Sequence, residues 1–181
     1  MAVGTELVLA PVLELDPDRS YEIVDGKPEE KMAGARHGGV IMRLGWRLGM
    51  HVETNRLGGI YSPDTTFLIG KNERMPDLAF VSAARIPPEG EPEGPWLIAP
   101  DLAVEVISPN DVWDKVHRKL HDYFAAGVRE VWLIAPEFRE VQIYGSPTQF
   151  RVLTESDELT SAELPGFRCP VGEIFQPVTR A

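Results

Sequence analysis

The sequence predicts an α/β fold of the α+β kind, a central mixed β-sheet flanked by helices. Three observations predict it. The runs LAVEVI (102–107) and VWLIA (131–135) are short, apolar and rich in β-branched residues, as strands covered on both faces are. Between them Trp113, Val116, Leu120, Tyr123 and Phe124 recur at three- and four-residue spacing, which marks a helix with one apolar stripe. Strand, helix and strand in that order imply a parallel pair joined by a right-handed crossover. Shorter strand-like runs bounded by turn residues lie before and after this unit and add antiparallel neighbours.

In chain order, YEIV (21–24) followed by Asp25-Gly26 reads as a strand and a turn. From His37 to about Val52, Ile41, Leu44, Leu48 and Val52 form one buried helical stripe, with glycines 38, 39, 45 and 49 permitting close packing. Residues 60–61 and 65–69 are strand-like, 70–73 form a turn, and 75–82 form a further strand. The spacing predicts that 65–69 and 75–82 pair as an antiparallel hairpin. The Pro/Gly-rich IPPEGEPEGP (86–95) is an excursion loop, so residues 1–181 are expected to form a single domain. Ser108, Pro109, Asn110 and Asp111 supply helix-start residues, and the helix runs from about Val112 to Ala126. Gly127 is placed to stop it. Pro136 ends the next strand, and 141–144 with 150–153 read as a final hairpin.

Composition bounds the function. With 181 residues the chain can bury a sizeable core, and no run approaches the roughly 20 apolar residues of a membrane span. The opening MAVGTELVLAPVLELD is acidic and has no basic leader region, so it does not read as a signal peptide. A single cysteine, Cys169, forms no internal disulfide and fits a reducing, cytoplasmic setting; in this position it reads as a small core filler. The net charge of −10 opposes binding of a polyanion. A nucleic-acid partner then requires locally clustered basic residues or a divalent cation to offset the repulsion.

Two carboxylates stand where carboxylates are scarce. Asp77 lies in MPDLAFVS and Glu105 in the middle of LAVEVI. An acid in a doubly covered strand is costly unless it is paired, protonated or bound to metal. Each alone reads equally well as a salt-bridged residue, but two on adjacent strands point to a shared purpose. Hard oxygen ligands suit Mg or Mn. Asp101 shares a strand face with Glu105 but lies four residues away, roughly 13 Å along a strand, too far to share one small cation. Asp77 belongs to another strand and can lie opposite Glu105.

The following helix offers a cation. Lys115, Lys119 and Tyr123 form one row on the flank of the apolar stripe, with Lys119 about 80° from its centre. A side chain there either leans over the sheet towards the carboxylates or snorkels along the core to solvent. His37, at the start of the first helix, reads as a hydrogen-bonded helix-start residue or as a further site residue. Glu22 in the first strand is an additional candidate for a metal-binding or basic role. His51, His117 and His121 make no ligand pattern. There is no Gly-rich phosphate loop, CxxC pair, HExxH or GxSxG.

In order along the chain stand YEIVDGK, a helix opening with His37, MPDLAFVS, DLAVEVISPND, a lysine four before a tyrosine, GVREVWLIAP and VQIY. This series resembles the Uma-type restriction endonuclease family and, through it, the PD-(D/E)XK nuclease superfamily. The resemblance covers about Tyr21 to Tyr144. It implies a restriction-endonuclease-like core in which Pro76-Asp77 matches the PD and Glu105 the acid of the (D/E)XK element. Ile107 stands where that element carries its lysine. Lys119, on the next helix, matches the lysine of the Uma-type sequences, and Glu22 is the match for an N-terminal acid. The expectation is a metal-dependent endonuclease that hydrolyses phosphodiester bonds of DNA. Asp77 and Glu105 would hold Mg or Mn, and Lys119 would complete the catalytic set, with Glu22 and His37 as additional members. The alternative, favoured by Ile107 and the acidic charge, is a catalytically degenerate nuclease fold serving as a binding or scaffold module. Apolar strands near the C-terminus would support a homo-oligomer.

Overall fold

The computed structural model describes residues 16, 19–31, 34–108 and 111–176. The N-terminal segment read above for a leader, and the Pro109-Asn110 part of the helix start, lie outside them. Strand β1 (Ser20–Val24) pairs antiparallel with β2 (Lys27–Lys31) through the Asp25-Gly26 turn. Helix α1 (Ala35–Asn55) follows, longer at each end than the apolar repeat alone marks. Next come β3 (Gly58–Tyr61), β4 (Phe67–Ile69), β5 (Asn72–Arg74), β6 (Leu78–Ser82) and a 3-10 turn at Ala83–Arg85. Strand β7 (Leu102–Val106), helix α2 (Trp113–Ala125) and β8 (Glu130–Ala135) form the anticipated crossover unit, with β7 and β8 parallel. Gly127, at φ 95°, stands just past the C-terminal turn of α2. The chain continues through β9 (Glu140–Ser146), β10 (Gln149–Leu153), β11 (Glu158–Leu159), β12 (Cys169–Pro170) and the short α3 (Val171–Ile174).

The main sheet has the order β10-β9-β8-β7-β6-β3, and every pair in it except β7–β8 is antiparallel. It is a mixed sheet with β7 and β8 at its centre, as the apolar runs required. Strand alternation sends Leu78, Phe80, Val104, Trp132 and Ile134 to one face, where Ile41, Leu44 and Leu48 of α1 meet them. Ala79, Ala103, Val131 and Leu133 go to the other face, against Leu120 and Tyr123 of α2.

One pairing differs from expectation. Residues 75–82 do not form one strand folded back on 65–69. The partner of β4 is β5, and β4 and β5 lie with β1 and β2 in a second sheet of order β2-β1-β5-β4. The chain leaves that sheet at Met75, and β6 begins at Leu78 in the main sheet. Pro76 has no N–H to give a ladder, and the Met75 N–H donates instead to Glu22 Oε1 at 2.9 Å. The break therefore puts Asp77 just ahead of β6, at a junction between sheets, and not within a strand. In α2, Trp113 is also unlike its reading as core: it is 60% exposed at the helix's first position.

Close backbone approach fixes where β3 meets β6. Gly58 sits at φ 151°, and a Cβ there would stand 2.0 Å from the Val81 carbonyl oxygen. A side chain at Gly58 is excluded on both counts, whereas a Cβ at Gly49 in the middle of α1 meets nothing within 4 Å. In urea unfolding, Gly58→Ala is expected to lose at least about 2 kcal/mol. Gly49→Ala is expected to gain up to about 1 kcal/mol from helix propensity. Equal effects of the two would contradict this placement.

Candidate active site

The C-terminal end of β7, the start of β6, the start of α1 and one flank of α2 meet at one end of the main sheet. Glu105 is the one residue of its strand that is not fully buried, its side chain 12% exposed, and it faces α2. Lys119 rises from α2 over it, with Nζ 2.9 Å from Glu105 Oε2. The same ammonium lies 2.7 Å from Glu22 Oε1, contributed by β1 of the second sheet. The Tyr123 hydroxyl, one turn further along the row, donates to Glu105 Oε1 at 2.6 Å. Lys119 thus leans over the sheet, while Lys115 stays outside and pairs with Glu29 at 3.1 Å.

A second layer backs these groups. Arg74 of β5 donates to Glu22 Oε2 at 3.1 Å and to Asp122 Oδ2 at 2.5 Å. Asn72 donates to the same Asp122 oxygen at 3.1 Å and accepts the Asp25 N–H at 3.0 Å. Helix α2 is therefore gripped from both sheets by charged contacts.

Asp77 completes the end of the sheet. The last pair of the β6–β7 ladder is Leu78 with Val104, and one further step of that register sets Asp77 opposite Glu105. Its Oδ2 accepts the Val106 N–H at 2.7 Å and lies 3.3 Å from His37 Nε2. The other ring nitrogen of His37 is 3.3 Å from Ser108 Oγ. His37 is thereby held between Asp77 and the segment after β7, facing the site rather than solvent.

Burial and charge act against each other here. Burial lowers the pKa of Lys119, but Glu105 and Glu22 more than reverse this, so the ammonium is held above its ordinary range. Burial also raises Glu22, yet Lys119, the Met75 N–H and Arg74 bring it below the usual carboxylate value. Tyr123 is pushed well up, first by burial and then by the charge of Glu105. Near neutral pH the lysine is therefore a cation, Glu22 an anion and the tyrosine a neutral donor.

All five residues singled out from the sequence, Asp77, Glu105, Lys119, Glu22 and His37, fall in this region. Asp101 does not. It is fully buried at the opposite end of β7, where it accepts the Ser82 N–H at 2.6 Å and pairs with Arg85 at 2.6 Å and Arg129 at 2.9 Å. Sequence reasoning missed three contributors. Tyr123 was assigned to the apolar stripe, although its four-residue spacing from Lys119 carried the signal. Arg74 and Asp122, 48 residues apart, carry no signal in the sequence and become partners only when the small sheet meets α2.

The donor chemistry fits a hard divalent cation. Asp77, Glu105, Glu22 and Asp122 outnumber the permanent cations Arg74 and Lys119, so the region keeps an excess of negative charge. Among the described residues, no group of three or more His, Cys, Asp and Glu is arranged to hold a metal ion. Asp77 just ahead of β6 and Glu105 in β7 are two hard oxygen donors of the kind that, with water, hold a divalent cation without an all-protein cage.

Comparison with known proteins agrees with this architecture. A family model described as "Uma2: Putative restriction endonuclease" matches residues 9–172. No curated protein matches the chain. A solved structure from Anabaena variabilis ATCC 29413, titled as a "putative nuclease belonging to DUF820", superposes with a TM-score of 0.79 at 20% identity, covering 89% of this chain and 92% of that one. At that identity the likeness is one of fold.

The clamp has a pH signature. Glu22 resists protonation in the folded state, so below about its ordinary 4.5 the unfolded chain binds the extra proton and stability falls. Urea titrations between pH 6 and 3 are expected to show an acid-side slope that Glu22→Gln lowers by up to one proton. Lys119→Met leaves two carboxylates facing each other and is expected to cost about 3 kcal/mol at neutral pH. A neutral effect of both changes would contradict the geometry.

Proposed function

Since the chain belongs to the Uma2 restriction endonuclease family, we propose that it is a metal-dependent endonuclease that hydrolyses phosphodiester bonds of DNA at the site built from Asp77, Glu105 and Lys119. The observation that carries this reading is Lys119 Nζ held within 3 Å of two carboxylates, the buried Glu22 and the largely buried Glu105, with Asp77 just ahead of the strand next to that of Glu105. Asp77 and Glu105 would hold Mg or Mn. When bound, such an ion polarises a phosphate and acidifies a water.

The side chains divide the remaining work. Lys119 is too strongly held as a cation to act as a base. Two of its three N–H donors point at Glu22 and Glu105, leaving one to orient a water or to meet the charge developing on a phosphate oxygen. Tyr123 fixes one oxygen of Glu105 and Lys119 the other, so the carboxylate cannot rotate away. Glu22 places Lys119, and Arg74 places Glu22. His37 and the Val106 N–H set the orientation of Asp77. Ile107 stands where the (D/E)XK lysine would be, and the ammonium reaches Glu105 from α2 instead.

The acidic charge is not spread evenly. Helix α1 carries Arg36, Arg43 and Arg47 against Glu53, and α2 carries Lys115, Arg118 and Lys119 against Asp114 and Asp122. Each helix carries more cations than acids, but Lys115, Lys119 and Arg47 are paired with carboxylates, so a divalent cation is what offsets the repulsion of a phosphate backbone. A scaffold role without catalysis is the second reading. The specific point in its favour is that both Glu105 oxygens are already engaged, Oε2 by Lys119 and Oε1 by Tyr123.

Plasmid nicking in Mn or Mg, with EDTA as control, separates the two. The nuclease reading expects nicking that EDTA stops, that Asp77→Asn and Glu105→Gln abolish, and that Lys119→Met slows roughly 100-fold. Nicking that persists in EDTA or in Asp77→Asn sinks it. A folded, inert wild-type chain under all metals supports the scaffold instead.

A further inference from the structure

Helix α1 is apolar on two opposite sides. Its inner stripe is buried, as expected. On the outer side Met42, Trp46 and Met50 stand one turn apart and are 70%, 64% and 52% exposed. With 100° per residue, these three lie within about 50° of the point diametrically opposite the buried stripe, Trp46 almost on it. A helix with apolar residues on both sides belongs between two packing partners, and among the described residues only the inner side has one. Large exposed apolar side chains aligned in one row are unlike the single scattered ones of ordinary surfaces.

The row is self-complementary. Place a second α1 antiparallel to the first with the crossing at Trp46, and position k faces position 92 − k. Trp46 then meets Trp46, Met42 meets Met50, and Glu53 meets Gly39. Gly39 is not empty surface. A Cβ there would stand 3.2 Å from Arg43 Nη1, so the Arg43 guanidinium lies over that glycine. The exposed Glu53 of one copy therefore arrives at the Arg43 guanidinium of the other, twice by symmetry. Charge of opposite sign at both ends of an apolar row is what an isologous contact requires. A parallel arrangement would instead set Glu53 beside Glu53.

We infer that the outer face of α1 is the interface of a two-fold homodimer, with Trp46 on the axis, Met42 packed on Met50 and Glu53 paired with Arg43 of the second copy. The row runs only from Met42 to Met50, a small patch for a stable interface, so a weak dimer is expected. The C-terminal strands that the sequence offered for self-association carry only Phe150 and Val152 as exposed large apolar groups, and Phe150 stacks on Tyr144 of its own chain.

Sedimentation equilibrium of the full chain from about 1 to 200 µM tests this. The wild type is expected to move from monomer to dimer across that range. Trp46→Glu, an exposed change that leaves the core intact, is expected to raise the dissociation constant at least tenfold with an unchanged melting temperature. Glu53→Arg is expected to weaken the dimer, and Arg43→Glu with Glu53→Arg to restore it. Met50→Glu provides a second disruption should Arg43→Glu fail to fold. A wild type that stays monomeric at 200 µM overturns the proposal, as does a dimer unmoved by Trp46→Glu and Met50→Glu. A chain that dimerises only after removal of residues 1–15 assigns the row to its own N-terminal segment and overturns it as well.

Discussion

The ammonium of Lys119 between Glu22 and Glu105 is the contact on which the arrangement of this molecule depends. It joins three elements that are remote in sequence: β1 of the small sheet, β7 of the main sheet and α2 between them. Two carboxylates at this spacing in a half-dry setting repel each other strongly, and removing the cation would leave both uncompensated. The same clamp orders the site, because holding the ammonium also holds Glu105 against Tyr123 at the sheet's end. Stability and the proposed chemistry thus draw on one set of charges. Arg74 and Asp122 extend the clamp so that α2 is fastened to the small sheet along its flank as well as at one point.

Much of this was legible in the sequence, and for identifiable reasons. Strands β7 and β8 announce themselves because both faces are covered, which leaves no room for polar alternation. The row Lys115, Lys119 and Tyr123 follows from helical period alone, and so does the difference between an outer and an inner lysine. Glu105 stood out because an acid in such a strand demands compensation. These are local rules with strong physical penalties behind them.

What was not legible depends on which sheet a strand joins. Residues 75–82 read as one strand because alternation does not register that Pro76 cannot donate and that Glu22, over fifty residues earlier, takes the Met75 N–H. That single exchange diverts the chain from the small sheet into the main one and delivers Asp77 to the end of β7. Trp113 matched the apolar stripe by period but lies at the first position of α2, past the sheet that would cover it. Arg74 and Asp122 carry no local penalty, so nothing in the sequence marks them, and for Tyr123 only its place in the Lys119 row does. With Ile107 two residues after Glu105, the position of Lys119 against Glu105 follows from the geometry of α2 rather than from a local motif.

Equilibrium binding of Mn to the purified chain, followed by calorimetry at neutral pH, reads the central claim most directly. The account predicts one site per chain, lost in both Asp77→Asn and Glu105→Gln. Lys119→Met should retain that site or bind more tightly, because a competing cation has gone. No measurable binding to the wild type, or binding indifferent to both acid substitutions, would contradict it.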